Sequence, residues 1–222
     1  EGETTVLDID RMRAEWYRSS HLMDTKQTMH GKAEERAANM GRQPIHWHMP
    51  AAFTGKLSRY GLNPDRREKS GIRAAIIREK GTNGEREMAY MLYLAGFDVK
   101  DVMMTDLVSG RETLDDVNFI VFCGGFSNSD VLGSAKGWAG AFLYNPRAKE
   151  TLDRFYARED TLSLGVCNGC QLMMELGLVG RTSGTANGSE RPHMEHNDSH
   201  KFESAFLGVD VQQGGHSVLL DS

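Results

Sequence analysis

The chain has little of several things, and each shortage closes off a class of protein. Only three cysteines occur in 222 residues, Cys123, Cys167 and Cys170, which is not the dense pattern of a disulfide-stapled secreted scaffold. No apolar run approaches the roughly 20 residues that span a bilayer. The acidic start Glu1-Gly2-Glu3 is not a signal peptide, so the reducing cytoplasm is the expected setting. Surplus positive charge is missing as well: the formal net charge is -5, which supports neither a nucleic-acid surface nor a membrane surface. Prolines number five, and three of them, Pro44, Pro50 and Pro64, fall in one stretch. What is present, 39% hydrophobic and 26% charged residues, is enough to build an ordinary globular core.

The stretch that organises the chain is Leu162-Ser163-Leu164-Gly165-Val166-Cys167-Asn168-Gly169-Cys170-Gln171-Leu172-Met173-Met174. An apolar strand runs into a Gly-x-Cys-x-Gly turn and then into an apolar helix, the arrangement that presents one reactive side chain on a sharp bend at the end of a sheet. Gly165 and Gly169 stand two places either side of Cys167 and let neighbouring chain approach. The following helix points its unpaired N–H groups and positive dipole end back at the sulfur, where they stabilise negative charge. The N–H of Asn168 is placed to help bind an oxyanion.

Read in order, Asp8 or Asp10 caps a helix through Met12, Trp16 and Met23 to about Thr25, its apolar stripe read as packing. Gly41 to Gly71 is irregular linker or surface chain, with Arg66-Arg67-Glu68-Lys69 as a solvated turn. A regular alternation then begins. Strands are expected at Ile72 to Ile77, Phe97 to Met104, Phe119 to Cys123 and Leu162 to Val166. A helix capped by Thr82 or Asn83 carries Met88, Met91, Leu92 and Ala95 and ends at Gly96, and further helices cover Gly133 to Tyr144 and Arg147 to Tyr156. Apolar strands alternating with helices predict an α/β fold, a parallel sheet covered on both faces. Its working loops lie at the carboxyl ends of the strands. Two qualify: the Cys167 turn, and Gly124-Gly125-Phe126-Ser127-Asn128-Ser129-Asp130, whose paired glycines bring backbone N–H groups close to a ligand.

Three segments together, Gly165-Val166-Cys167-Asn168-Gly169-Cys170-Gln171, Cys123-Gly124-Gly125-Phe126-Ser127 with Asp130-Val131-Leu132-Gly133, and Asn197-Asp198-Ser199-His200-Lys201-Phe202-Glu203, resemble the class I glutamine amidotransferases. Within that class they are similar to the glutaminase region of the phosphoribosylformylglycinamidine synthase family, in its large single-chain form. The resemblance implies a flavodoxin-like fold over residues 71–222, incomplete at its C-terminal end, a linker at 42–70, and the end of the synthetase region at 1–41. It implies Cys167 as nucleophile on the glutamine side-chain amide, with a glutamyl thioester formed and ammonia released. Gly125 and Asn168, with Gly124 as a third candidate, become oxyanion donors, and Gln171, Asn197 and Ser199 become glutamine-binding residues. The synthetase region of the same chain would accept the ammonia, using ATP and magnesium that residues 1–222 are not expected to bind.

Rival readings meet specific objections. Cys167-Asn168-Gly169-Cys170 is a Cys-x-x-Cys, but redox chemistry does not require Gly165 or Gln171, and Cys170 and Cys123 read as small buried residues. His193, His196 and His200 with Glu195 and Asp198 suggest a metal cluster, but Asn197-Asp198-Ser199 in their midst favour a turn leading into a strand from Phe202 to Val211. Pro192-His193-Met194-Glu195 imitates the family's general-base motif, yet its His193 comes only 26 residues after Cys167 and the motif precedes a segment that should precede it. The true histidine and glutamate are therefore expected beyond Ser222. Leu172, Met173 and Met174 read as helix core, Asn187-Gly188-Ser189 as a chance glycosylation sequon, and Gly180 to Gly188 as a flexible loop. A cysteine hydrolase, a redox protein and a non-catalytic docking module remain the alternatives.

Overall fold

The computed structural model describes residues 4–42, 45–179, 193–210 and 218–219. The loop read at Gly180 to Gly188, the sequon at Asn187 and Pro192 lie outside these residues. The chain forms two compact units, one of Glu1–Phe53 with Glu195–Ser222 and one of Thr54–Met194.

In the first unit, helix α1 spans Ile9–Gln27 and helix α2 spans Lys32–Asn39. The Asp8 side chain accepts the N–H of Arg11 at 3.0 Å, which satisfies an orphan donor of the first turn. The expected stripe of Met12, Trp16 and Met23 is on the helix but not packed: Trp16 is 80% exposed and no α1 residue is buried. Helical spacing decides which residues share a face and says nothing about whether a partner covers it. The strand expected from Phe202 is likewise absent over residues 202–210, where Phe202, Phe206, Leu207 and Val209 are exposed. Among the described residues no strand pairs with that segment, and an apolar run without a ladder partner has no strand to join.

The second unit is built on four parallel strands, β1 (Arg73–Arg78), β2 (Asp98–Met103), β3 (Phe119–Phe122) and β4 (Leu162–Gly165), ordered β2-β1-β3-β4. Helix α3 (Glu85–Leu94) follows β1 and packs on one face, where Leu92 meets Ala74, Ile76 and Val121. Helices α4 (Met104–Ser109), α5 (Lys136–Leu143), α6 (Pro146–Ala157) and α7 (Asn168–Glu175) supply the other face. There Ile77, Val102, Ile120 and Phe122 pack with Trp138, Phe142, Phe155 and Leu172. Phe122 meets Trp138 and Phe142 edge-on, at ring separations of 5.9 and 6.0 Å. The expected flavodoxin-like α/β fold is thus the fold observed.

Several details differ from the sequence reading, each for a local reason. The cap of α3 is Gly84, at φ 84°, so the chain enters by a left-handed residue rather than through Thr82 or Asn83. Met104 does not extend β2 but opens the short helix α4, because the Asp106 carboxylate accepts the N–H of Met103 and turns the chain. Helix α5 starts three residues late, since Gly133 and Ala135 both have positive φ. β4 is an edge among the described strands, and Leu162 and Leu164 are partly exposed, so its apolar residues are not covered on both faces. Arg66, read as part of a solvated turn, is docked: its guanidinium lies 4.8 Å from the centre of the Tyr93 ring and donates to the carbonyl of Phe97 at 2.6 Å.

Candidate active site

Cys167 stands between β4 and α7 with φ 53° and ψ −109°, a backbone conformation that non-glycine residues rarely hold unless the surroundings enforce it. The enforcement is visible in the two flanking glycines. A Cβ on Gly165 would sit 2.6 Å from the carbonyl oxygen of Gly169 and 2.8 Å from the nitrogen of Cys170. One on Gly169 would strike the carbonyl group of Phe122, 2.6 Å from its carbon. The bend therefore closes only with hydrogen at both positions, as the spacing predicted. The thiol residue itself is exposed, Cys170 is half-buried and Cys123 is buried. Burial, with the Glu85 charge behind it, pushes the Cys123 thiol up to about 11, which makes that cysteine an inert part of the core.

The Gly124-Gly125 loop is brought against the same bend. A Cβ on Gly124 would lie 3.2 Å from the Cβ of Cys167 and 3.9 Å from its sulfur. Gly125, at φ 116°, passes so close to the turn after β1 that a Cβ would meet the Asn83 nitrogen at 2.7 Å. Two backbone bonds pin this contact: Asn83 N–H to the Gly124 carbonyl at 2.8 Å and Phe126 N–H to the Gly81 carbonyl at 2.9 Å. They leave two amides over. Among the described residues no hydrogen bond takes the N–H of Gly125 or of Asn168, the two donors named for an oxyanion from sequence.

Asn168 does more than its backbone suggested. Its side chain is buried, 1% exposed, and joins three groups: its oxygen accepts the N–H of Ser127 at 3.1 Å, while its amide nitrogen donates to Asp130 at 3.2 Å and to the Gln171 side-chain oxygen at 3.0 Å. Asn168 thereby ties the glycine loop to the helix that carries Gln171. The loop needs that tie, because Asn128, Ser129 and Asp130 all have positive φ, from 50° to 55°. Neither the Asn168 side-chain role nor that of Asp130 was visible in the sequence. Two residues 38 apart reveal a hydrogen bond only when the sheet sets their strands side by side.

Asn197 and Ser199 belong to the other unit. There Asn197 donates to the Lys201 carbonyl at 2.9 Å, and Ser199, 2% exposed, shares hydrogen bonds with the Lys201 backbone. His193 and Glu195 are exposed. Among the described residues no group of three His, Cys, Asp or Glu side chains could hold a metal ion, and no helix is long and apolar enough to cross a membrane.

A parallel sheet with helices on both faces and a cysteine on its strand-to-helix bend defines the class, a flavodoxin-like α/β protein of the kind that displays one side chain at the end of its sheet. Comparison with known proteins narrows it. Residues 71–222 match the family described as CobB/CobQ-like glutamine amidotransferase domain, and the chain belongs to that family. Phosphoribosylformylglycinamidine synthase of Homo sapiens is 42% identical over 217 residues, covering 93% of this chain and 16% of its own length. The protein of the same name from Drosophila melanogaster is 34% identical over 223 residues, covering 100% of this chain and 16% of its own length. The probable chloroplastic or mitochondrial synthase of Arabidopsis thaliana is 48% identical over 141 residues, 63% of this chain and 10% of its own. The chain spans 16% or less of the length of these relatives. Among solved structures, that of PurLQS from Thermotoga maritima matches with TM-score 0.41 at 27% identity, covering 49% of this chain and 46% of that one.

Proposed function

We propose that the chain is the glutaminase part of a phosphoribosylformylglycinamidine synthase, with Cys167 as its nucleophile. One observation carries the reading: an exposed cysteine is held at φ 53° on a bend beside two backbone N–H groups, of Gly125 and Asn168, that no described group uses. The Cys167 sulfur adds to the side-chain amide carbon of glutamine as the carbonyl π electrons move onto oxygen. The N–H groups of Gly125 and Asn168, supported by the close approach of Gly124, stabilise that oxyanion. Collapse re-forms the carbonyl and breaks the C–N bond. A general base, a role that motif order denies to His193, takes the thiol proton as sulfur attacks and in its protonated form returns it to the leaving nitrogen, so that ammonia departs and a glutamyl thioester remains for water to hydrolyse to glutamate.

Gln171, whose side chain Asn168 holds in place, is proposed to bind the glutamine; for Asn197 and Ser199 the same role rests on the sequence resemblance alone. The ammonia passes to the synthetase region of the same enzyme, which converts formylglycinamide ribonucleotide to the amidine with ATP and magnesium. Names of relatives and the residues around Cys167 support this reading together. The test is alkylation by an L-glutamine-shaped chloroketone or diazoketone. The expected result is one label per chain, on Cys167 by peptide mapping, with protection by L-glutamine and none by D-glutamine. Equal labelling of Cys170, or indifference to L-glutamine, overturns the proposal.

A further inference from the structure

The glycine loop carries one carboxylate that the chemistry at Cys167 does not use, that of Asp130. It is half-buried and forms no ion pair among the described residues. Two neutral donors meet it on the same oxygen, the Asn168 side-chain amide at 3.2 Å and the Ala135 N–H at 3.3 Å. The Ala135 bond holds the carboxylate at the start of α5, and the Gly133 N–H closes the turn on the Asp130 carbonyl at 2.9 Å. The chain around it is packed as firmly. A Cβ on Gly137 of α5 would lie 3.1 Å from the Asn128 side-chain nitrogen, and the Asn128 N–H donates to the Lys80 carbonyl at 2.7 Å. Asp130 therefore presents a fixed acceptor to Asn168.

A side-chain amide has two ends of similar shape and opposite polarity, and its surroundings decide which way round it lies. At Asn168 both ends are specified. A backbone N–H can only donate, so the Ser127 N–H selects the oxygen at 3.1 Å. A carboxylate can only accept, so Asp130 selects the nitrogen. Turned over, the amide would set donor against donor at Ser127 and acceptor against acceptor at Asp130. Asn168 is 1% exposed, and hydrogen bonds left unmade in such a place are costly. The second hydrogen of the same nitrogen goes to the Gln171 side-chain oxygen at 3.0 Å, so the orientation of Asn168 passes on to Gln171. The Gln171 amide turns its NH2 group away from Asn168, and among the described residues no hydrogen bond takes that group. Gln171 is half-buried and stands one helical turn from the bend, its backbone N–H on the Cys167 carbonyl at 3.1 Å.

We infer that Asp130 is a positioning residue for glutamine: through the Asn168 amide it sets which end of the Gln171 amide faces the substrate beside Cys167. This rests on the proposal that Gln171 binds glutamine. Every residue involved lies in the unit of Thr54–Met194. The loop that offers the Gly125 N–H to the oxyanion then also orients a ligand of the substrate, by one chain of hydrogen bonds from Asp130 to Asn168 to Gln171.

The experiment compares the full chain with Asp130→Gly, Asp130→Asn, Gln171→Ala and the double variant Asp130→Gly with Gln171→Ala. Asp130 has φ 50°, where glycine is at ease and asparagine is tolerated. Asp130→Gly thus removes the carboxylate without straining the backbone, and Asp130→Asn keeps an acceptor oxygen for the Ala135 N–H to select. The readouts are the L-glutamine concentration that half-protects Cys167 from iodoacetamide, and amide hydrogen exchange across β1 and β3. Asp130→Gly is expected to raise the half-protecting concentration about tenfold, the size of one hydrogen bond, with exchange across the strands unchanged. Asp130→Asn is expected to stay close to the parent, and Asp130→Gly to add no further rise once Gln171→Ala is in place. An unchanged concentration in Asp130→Gly, equal damage in Asp130→Asn, or full additivity with Gln171→Ala overturns the positioning role. So does loss of strand protection in Asp130→Gly, which would make the carboxylate a support of the fold. Indifference of the parent chain to L-glutamine defeats the proposed function. Protection of the parent with no change in Gln171→Ala defeats the assignment of Gln171 alone, and in either case the positioning role falls with it.

Discussion

Replacing Asn168 by alanine tests how the active-site bend is assembled. The side chain is buried and makes three hydrogen bonds, to the Ser127 N–H, to Asp130 and to Gln171. Two of these are neutral bonds that contribute about 1 kcal/mol each, and the one to the Asp130 carboxylate is of the stronger class, about 1.5 kcal/mol or more. Truncation also leaves the Ser127 N–H without a partner in a buried site, where it costs toward the upper end of that range. The sum is about 3–4 kcal/mol, a large share of what a domain of this size has to lose. Urea unfolding followed by far-ultraviolet circular dichroism measures it, and a cycle with Gln171→Ala isolates the Asn168–Gln171 contact at about 1 kcal/mol of coupling. A loss below 1 kcal/mol, or no coupling, refutes the view that Asn168 ties the glycine loop to α7.

Other expectations follow from single contacts. Gly169→Ala places a methyl group against the Phe122 carbonyl, where backbone cannot give way, and is expected to cost about 3 kcal/mol or to prevent folding; thermal melts and soluble yield check it. Arg66→Ala removes the contact with Tyr93 and donations to Phe97 and Glu68, an expected loss of about 2 kcal/mol in urea. Asp98 is held below the usual carboxylate range by the N–H of Gly71 foremost, then by the N–H of Ser70 and by Arg66. A depressed folded-state value means that its contribution is complete above the unfolded value near 4 and is lost as pH falls below it. Asp98→Asn should therefore flatten the acid side of the stability profile and leave its neutral slope unchanged, as measured by melts from pH 3 to 7 on the scale of that titration.

Much of the sheet unit was legible because its signals are local. Ile76, Ile77, Phe119 to Phe122 and the helix of Leu172 and Met173 announce themselves by apolar run and spacing, and all are buried. The Cys167 bend was legible for the same reason, since Gly165 and Gly169 sit within two residues of it. What escaped depends on chain that arrives from elsewhere. Asp130 and Asn168 meet across two loops, Arg66 finds Tyr93 from a segment that reads as linker, and Lys201 and Glu203 find Asp24 and Arg36 across most of the chain. The misreading of Met12, Trp16 and Met23 as packed has the complementary cause: an amphipathic stripe records a preference for burial, and in this unit nothing described covers it.

The central claim is that the Cys167 sulfur attacks glutamine. Intact-mass measurement after mixing the chain with L-glutamine and quenching in acid tests it most directly. A glutamyl adduct is expected on Cys167, discharged by hydroxylamine and absent from Cys167→Ala. An adduct on Cys170 instead, or one that persists in Cys167→Ala, contradicts it.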